Sequence, residues 1–196
     1  MGLKSQDIVV VLKLVALGER RWSYPSLAAG LFMSPSGAHA CVKRAVDSKL
    51  LDPVQKKPRL AAVEEFLIHG VKYVFPARRG GPTRGMPTGY AAPPLNSEIV
   101  QSSELPPVWP YAEGTVRGYA FSPLHEGVPR AAEKDVKLYE LLALLDAIRG
   151  GRAREVSIAI REFKDRLHPK MRLKRTFGAA ALYGYPDGCG PTSRRF

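Results

Sequence analysis

The chain has 196 residues, 45% of them apolar, and its 30 lysines and arginines outnumber 18 acidic residues to leave a net charge of +12. The length suits one ordinary domain with an appendage, or two small ones, and the apolar share excludes global disorder. The charge points to polyanions such as DNA or RNA, or to an anionic membrane surface. Two cysteines without a CxxC pair exclude a disulfide framework and fit a reducing, cytoplasmic compartment.

Ser5 is placed to cap a first helix carrying Ile8, Val11, Leu12 and Val15 on one face, with Gly18 as its stop. The apolar run over residues 8–17 is interrupted by Lys13 and is far too short to span a bilayer. Ser23 caps a second helix with Pro25 in its first turn and Leu27, Ala28, Leu31 and Phe32 on its core side. Ser34 caps a third, with Pro35 at its first position. There Ala38, Cys41, Val42, Ala45 and Val46 form a buried stripe, while Ser36, His39, Ala40, Lys43 and Asp47 lie opposite. The tight connection between the last two helices, resting on the first, describes a tri-helical helix-turn-helix unit.

Beyond Leu51 a polar stretch with Lys56 and Lys57 precedes a fourth helix expected over residues 60–68, with Gly70 at its end. The β-branched and aromatic residues 71–75 read as a strand. Residues 76–129 are dense in Gly and Pro and read as turns and extended chain, with one further strand at 115–122. Their aromatics (Tyr73, Phe75, Trp109, Tyr111, Tyr119 and Phe121 in and beside this region) argue that it packs. A helix over residues 131–149 is apolar around most of its circumference, Gly150 and Gly151 break it, and a second helix over 152–167 completes an αα-hairpin. A basic, Gly-rich tail follows.

The expected fold class is therefore mainly α with a small β component. Residues 1–70 form the helix-turn-helix unit, 71–130 the Pro/Gly-rich β and loop region, 131–168 a helical hairpin suited to dimerisation, and 169–196 the tail.

Residues 26–51, with Leu27-Ala28, Ser34 and Leu50-Leu51 at matching points, resemble the helix-turn-helix core of bacterial winged-helix transcriptional regulators of the MarR type. The resemblance covers about a quarter of the chain. It departs at Lys49, where the family has a glycine that leaves the helix with positive φ, and at the wing, where a helix-like stretch stands in place of a β-hairpin. It implies a homodimer whose third helix enters the major groove of duplex DNA. Carried onto this chain, the contacts are Ser36, Gly37, His39, Ala40 and Lys43, with Arg44 on the flank and a phosphate held at Ser34 and the helix N-terminus. Arg78, Arg79 and Arg84, set among Gly and Pro, suit either a displaced wing lying in a minor groove or a surface loop with solubilising charge.

Neither a phosphate-binding GxxxxGK[ST] loop nor HExxH or zinc-type spacing around His39, His69, His125 and His168 occurs, so no enzyme, metal or cofactor is expected. The sequence thus reads as a DNA-binding regulator, without a membrane role and with a protein partner encoded nearby as a further expectation. The alternative is a protein-interaction module of the antitoxin-like or defence-accessory kind.

Overall fold

The computed structural model describes residues 2–99 and 104–169. Helices α1 (Ser5–Leu17), α2 (Tyr24–Leu31) and α3 (Pro35–Asp47) pack on one another. Leu27, Ala28 and Leu31 of α2 and Ala38, Cys41, Val42 and Ala45 of α3 are buried beneath the crossing, where the alanines keep the axes close. Gly18 ends α1 with φ +61°. Phe32 (φ +53°) turns α2 into α3. Lys49 leaves α3 with φ +60°, a left-handed conformation that glycine takes more readily, despite the steric cost of a Cβ there.

Helix α4 (Leu60–Glu65) does not stop at Gly70. It continues through a π-helical stretch (Phe66–Gly70) into α5 (Val71–Val74), which corrects the strand expected over residues 71–75. Val63, Leu67 and Val71 are four residues apart, share one face and are all fully buried. That burial outweighs the β preference of the segment.

The Gly/Pro-rich region is more ordered than its composition suggests. β1 (Arg79–Pro87) pairs antiparallel with both β2 (Pro107–Pro110) and β3 (Val116–Phe121), and β2 runs parallel to β3, so three short strands close on one another. The glycines make this closure possible. A side chain at Gly85 would run into the Trp109 carbonyl, and one at Gly118 into the Pro106 carbonyl. The stretch expected as an extended Arg78–Arg84 loop is therefore largely strand.

The helix expected over residues 131–149 is two, α6 (Val128–Lys134) and α7 (Val136–Gly150), with α8 (Ala153–Leu167) after the Gly150-Gly151 break. Asp135 separates them. It caps α7 by accepting from the Leu138 N–H at 3.1 Å and reaches back to Lys13 of α1 at 2.7 Å. Helix α7 lies in the centre of the molecule, packed on α1, α6, α8 and the 3-10 turn Gly89–Ala91. Leu138, Leu141, Leu142, Leu144, Leu145 and Ile148 are all buried there. Its apolar circumference finds its cover inside the chain, which removes that helix as a reason to expect a dimer.

A buried carboxylate joins α7 to the sheet. Asp146 accepts from Trp109 Nε1 (2.6 Å), Thr88 Oγ1 (2.9 Å) and Arg149 Nη1 (2.6 Å). Arg149 Nε in turn donates to the Phe75 carbonyl at 2.9 Å, so every polar group in this network is satisfied. Glu64 meets Lys164 (3.2 Å) and His168 (2.8 Å) and fastens the end of α8 to α4. Apart from Pro169, the expected basic tail lies outside the described residues.

Candidate nucleic-acid interface

The exposed side of α3 is built by its own N-terminus. Ser34 Oγ accepts from the Gly37 N–H at 3.0 Å and lies 3.2 Å from Ser36 Oγ. A Cβ on Gly37 would stand 3.0 Å from that same Ser34 oxygen, so the glycine keeps room for the cap rather than offering a contact. Ser36, His39, Lys43 and Asp47 face solvent along one stripe, with Ala40 half-buried between them. No carboxylate among the described residues pairs with Lys43.

Arg44 does not belong to this face, which corrects its expected place on the flank. Its Nε and Nη2 donate to Asp7 at 2.8 and 2.6 Å, a bidentate pair with side chains 6% and 0% exposed. The hydrogen bonds to Asp7 hold the guanidinium pKa above its ordinary value. The Lys4 N–H also donates to Asp7 (2.7 Å), so the pair ties the start of α1 to the middle of α3. Cys41 sits beside it, accepting from Gln6 and Arg44 at 3.4 Å each. Burial first, then Asp7, pushes the Cys41 thiol up to about 11, so it stays protonated as a small core group. The sequence held a signal for this pairing. Arg44 lies three residues after buried Cys41 and directly before buried Ala45, and an arginine in that arc needs a carboxylate.

Four further side chains, Trp22, Tyr24, Arg130 and Lys134, lie near His39 or Phe32 and were not singled out from sequence as site residues. The His39 ring lies 4.9 Å from the Tyr24 ring, which meets Trp22 edge-on at 5.4 Å. The half-buried Trp22 and Tyr24 thus support His39 from the start of α2. Arg130 and Lys134, one turn apart on α6, stand 4.4 and 4.9 Å from the Phe32 ring at the entrance to α3. Both are exposed. Only their distance in the chain hid them.

A narrow hairpin follows α3 directly. The Asp52 N–H donates to the Lys57 carbonyl (2.8 Å), the Arg59 N–H donates to the Leu50 carbonyl (2.9 Å), and Leu51 bridges Pro58. The Asp52 carboxylate organises the tip by accepting from the Val54 and Gln55 N–H groups at 2.9 and 2.7 Å. Lys56 takes φ +55° in this tip, and Lys57 pairs with Glu19 at 2.6 Å.

The arginines expected to form a minor-groove loop are dispersed by the strand. Arg79 donates to the Gly150 carbonyl at the end of α7. Arg78 is exposed, with its carbonyl accepting from the Ser122 N–H at 2.9 Å. Arg84 is exposed on the sheet, directly opposite Arg117. Among the described residues no group of three or more His, Cys, Asp or Glu side chains is placed to hold a metal, and no helix is long and apolar enough to cross a membrane.

The chain matches no protein-family model, no curated protein and no solved structure.

Proposed function

We propose that the protein binds double-stranded DNA through α3 and acts as a sequence-specific, bacterial-type transcriptional regulator in the cytoplasm. The observation that carries this reading is the division of α3. One stripe is packed into the core and bolted by Asp7–Arg44, while the other presents Ser36, His39, Lys43 and Asp47 to solvent, with no carboxylate among the described residues paired to Lys43. On a chain of net charge +12, such a face suits a major groove. In this reading Lys43 reaches guanine or phosphate, Ser36 and His39 bond a base edge or phosphate, and Ala40 touches a thymine methyl. Arg130 and Lys134 supply phosphate contacts beside the entrance to the helix. In this reading the hairpin at residues 51–58 serves as a short wing.

Few side chains on α3 are long enough to make bidentate base contacts. Affinity then depends on phosphates, and binding should weaken steeply with salt. A homodimer belongs to the proposal because two-fold regulators read paired half-sites about one helical turn apart, and sedimentation of free and DNA-bound protein measures it. The deciding experiment is a gel shift on the DNA upstream of the protein's own gene against scrambled duplex at rising salt. Equal affinity for both would remove sequence-specific binding.

A second reading, a protein-interaction module, is supported by exposed Tyr73 and Val74 beside a groove lined by Leu3, Leu50 and Phe66. A stoichiometric co-purifying partner together with no duplex shift would favour it.

A further inference from the structure

Two arginines face each other across the β1–β3 ladder. Arg84 and Arg117 are direct cross-strand partners, so both side chains leave the sheet on the same face. Both are exposed, and neither meets a carboxylate among the described residues. Like charges placed directly opposite repel each other, so the free sheet carries an unrelieved electrostatic cost. Other arginines nearby differ. Arg79 is engaged by the Gly150 carbonyl, and Arg149 by Asp146 and the Phe75 carbonyl.

The two arginines line an open cleft together with Pro82, Thr83 and Thr115. Tyr119, directly opposite Pro82 in the same ladder, is 47% exposed and continues this face. Two arginines lining one cleft, with threonines beside them, supply the N–H forks that suit the tetrahedral oxygens of a phosphate. A bound phosphate would also remove the repulsion between the two arginines.

A chain of contacts joins this cleft to α3. The Tyr111 N–H donates to the Arg84 carbonyl at 3.3 Å, and the Tyr111 hydroxyl lies between the carboxylates of Glu113 (2.8 Å) and of Glu133 on α6 (3.1 Å). Glu133 precedes Lys134, which with Arg130 stacks on Phe32 at the entrance to α3.

We propose that Arg84 and Arg117 form a phosphate-binding site on the sheet, and that its phosphate is one of the backbone of the duplex that α3 engages. The second half rests on the DNA-binding reading above. The site holds phosphate without reading sequence, which differs from an arginine loop threaded into a minor groove.

The test compares the unmodified protein, the double variant Arg84→Gln/Arg117→Gln, and a charge control, Lys72→Gln/Arg154→Gln, at exposed positions elsewhere. Circular dichroism checks that each is folded. Labelled duplex is titrated across a salt series, and melting is followed with and without inorganic pyrophosphate. The expected result is that the double variant flattens the slope of log affinity against log salt by roughly 1–2 relative to the control. It weakens specific and scrambled duplex alike and loses the pyrophosphate-induced rise in melting temperature. A lost pyrophosphate response with an unchanged duplex slope keeps the phosphate site and overturns the DNA backbone as its source. If the unmodified protein binds no duplex, the DNA-binding reading fails, and the pyrophosphate arm alone decides the site. Wild-type behaviour of the double variant in both arms overturns the proposal.

Discussion

Each half of the molecule is bolted by a buried aspartate, and the two bolts leave different things outside. In the helical half, Asp7 takes Arg44 into the interior and fixes α3 on α1, so the exposed stripe keeps Ser36, His39, Lys43 and Asp47. In the sheet half, Asp146 takes Trp109, Thr88 and Arg149, fixes the strands on α7, and leaves Arg84 and Arg117 on the surface. The first arrangement favours short, shape-dependent contacts. The second favours charge. In the proposed complex that difference divides the work, with the helix discriminating sequence and the sheet adding affinity.

The largest break in this comparison is Arg44→Ala. It leaves the Asp7 carboxylate buried without its partner, and urea denaturation should show a loss of about 3–5 kcal/mol. Replacing both residues by apolar ones of similar volume should restore much of it, because the cost lies in the orphaned charge. Asp146→Ala removes the acceptor of three donors at once and should cost about 3 kcal/mol. Hydrogen exchange should then speed up in β2 before it does in α3, whereas Arg44→Ala should show the reverse order.

Lys43→Ala sharpens the comparison on the binding side. It should weaken specific duplex by about 1–3 kcal/mol while leaving the melting temperature unchanged. An unchanged affinity would remove Lys43 from the reading face.

The smallest effect concerns the link between the halves. Burial opposes ionisation of Asp135, but Lys13 and the Leu138 N–H together hold its carboxyl below the ordinary carboxylate range. A depressed folded-state pKa contributes stability that is complete above the unfolded value near about 3.9 and is lost as pH falls through the folded one. Asp135→Asn should therefore cost about 1 kcal/mol at neutral pH and should flatten the fall in stability below about pH 4. Denaturant midpoints across that range measure both.

Much of the helical half was legible from local pattern. Capping serines, prolines in first turns and apolar residues every three or four positions mark α2 and α3 closely, because those signals act within one turn of chain. The solvent side of α3 was legible for the same reason. Arg44 was misplaced because its partner lies 37 residues away. The strand expected at residues 71–75 failed because burial of Val71, on the same face as Val63 and Leu67 and in a segment packed on α7, decided its conformation. Strand β1 was hidden for the opposite reason. Its glycines and prolines look like punctuation, and only the close approach of Trp109 and Pro106 to the strands gives the glycines a structural use.

By itself, the sequence determined the charge, the three N-terminal helices and which side of α3 meets solvent, since composition and periodicity are local properties. The tertiary structure alone decided which cations remain free. That choice removed Arg44, Arg79 and Arg149 and left Lys43, Arg84, Arg117, Arg130 and Lys134 outward. A charge is available to a partner only if folding brings no acceptor within reach, and that depends on contacts between distant parts of the chain.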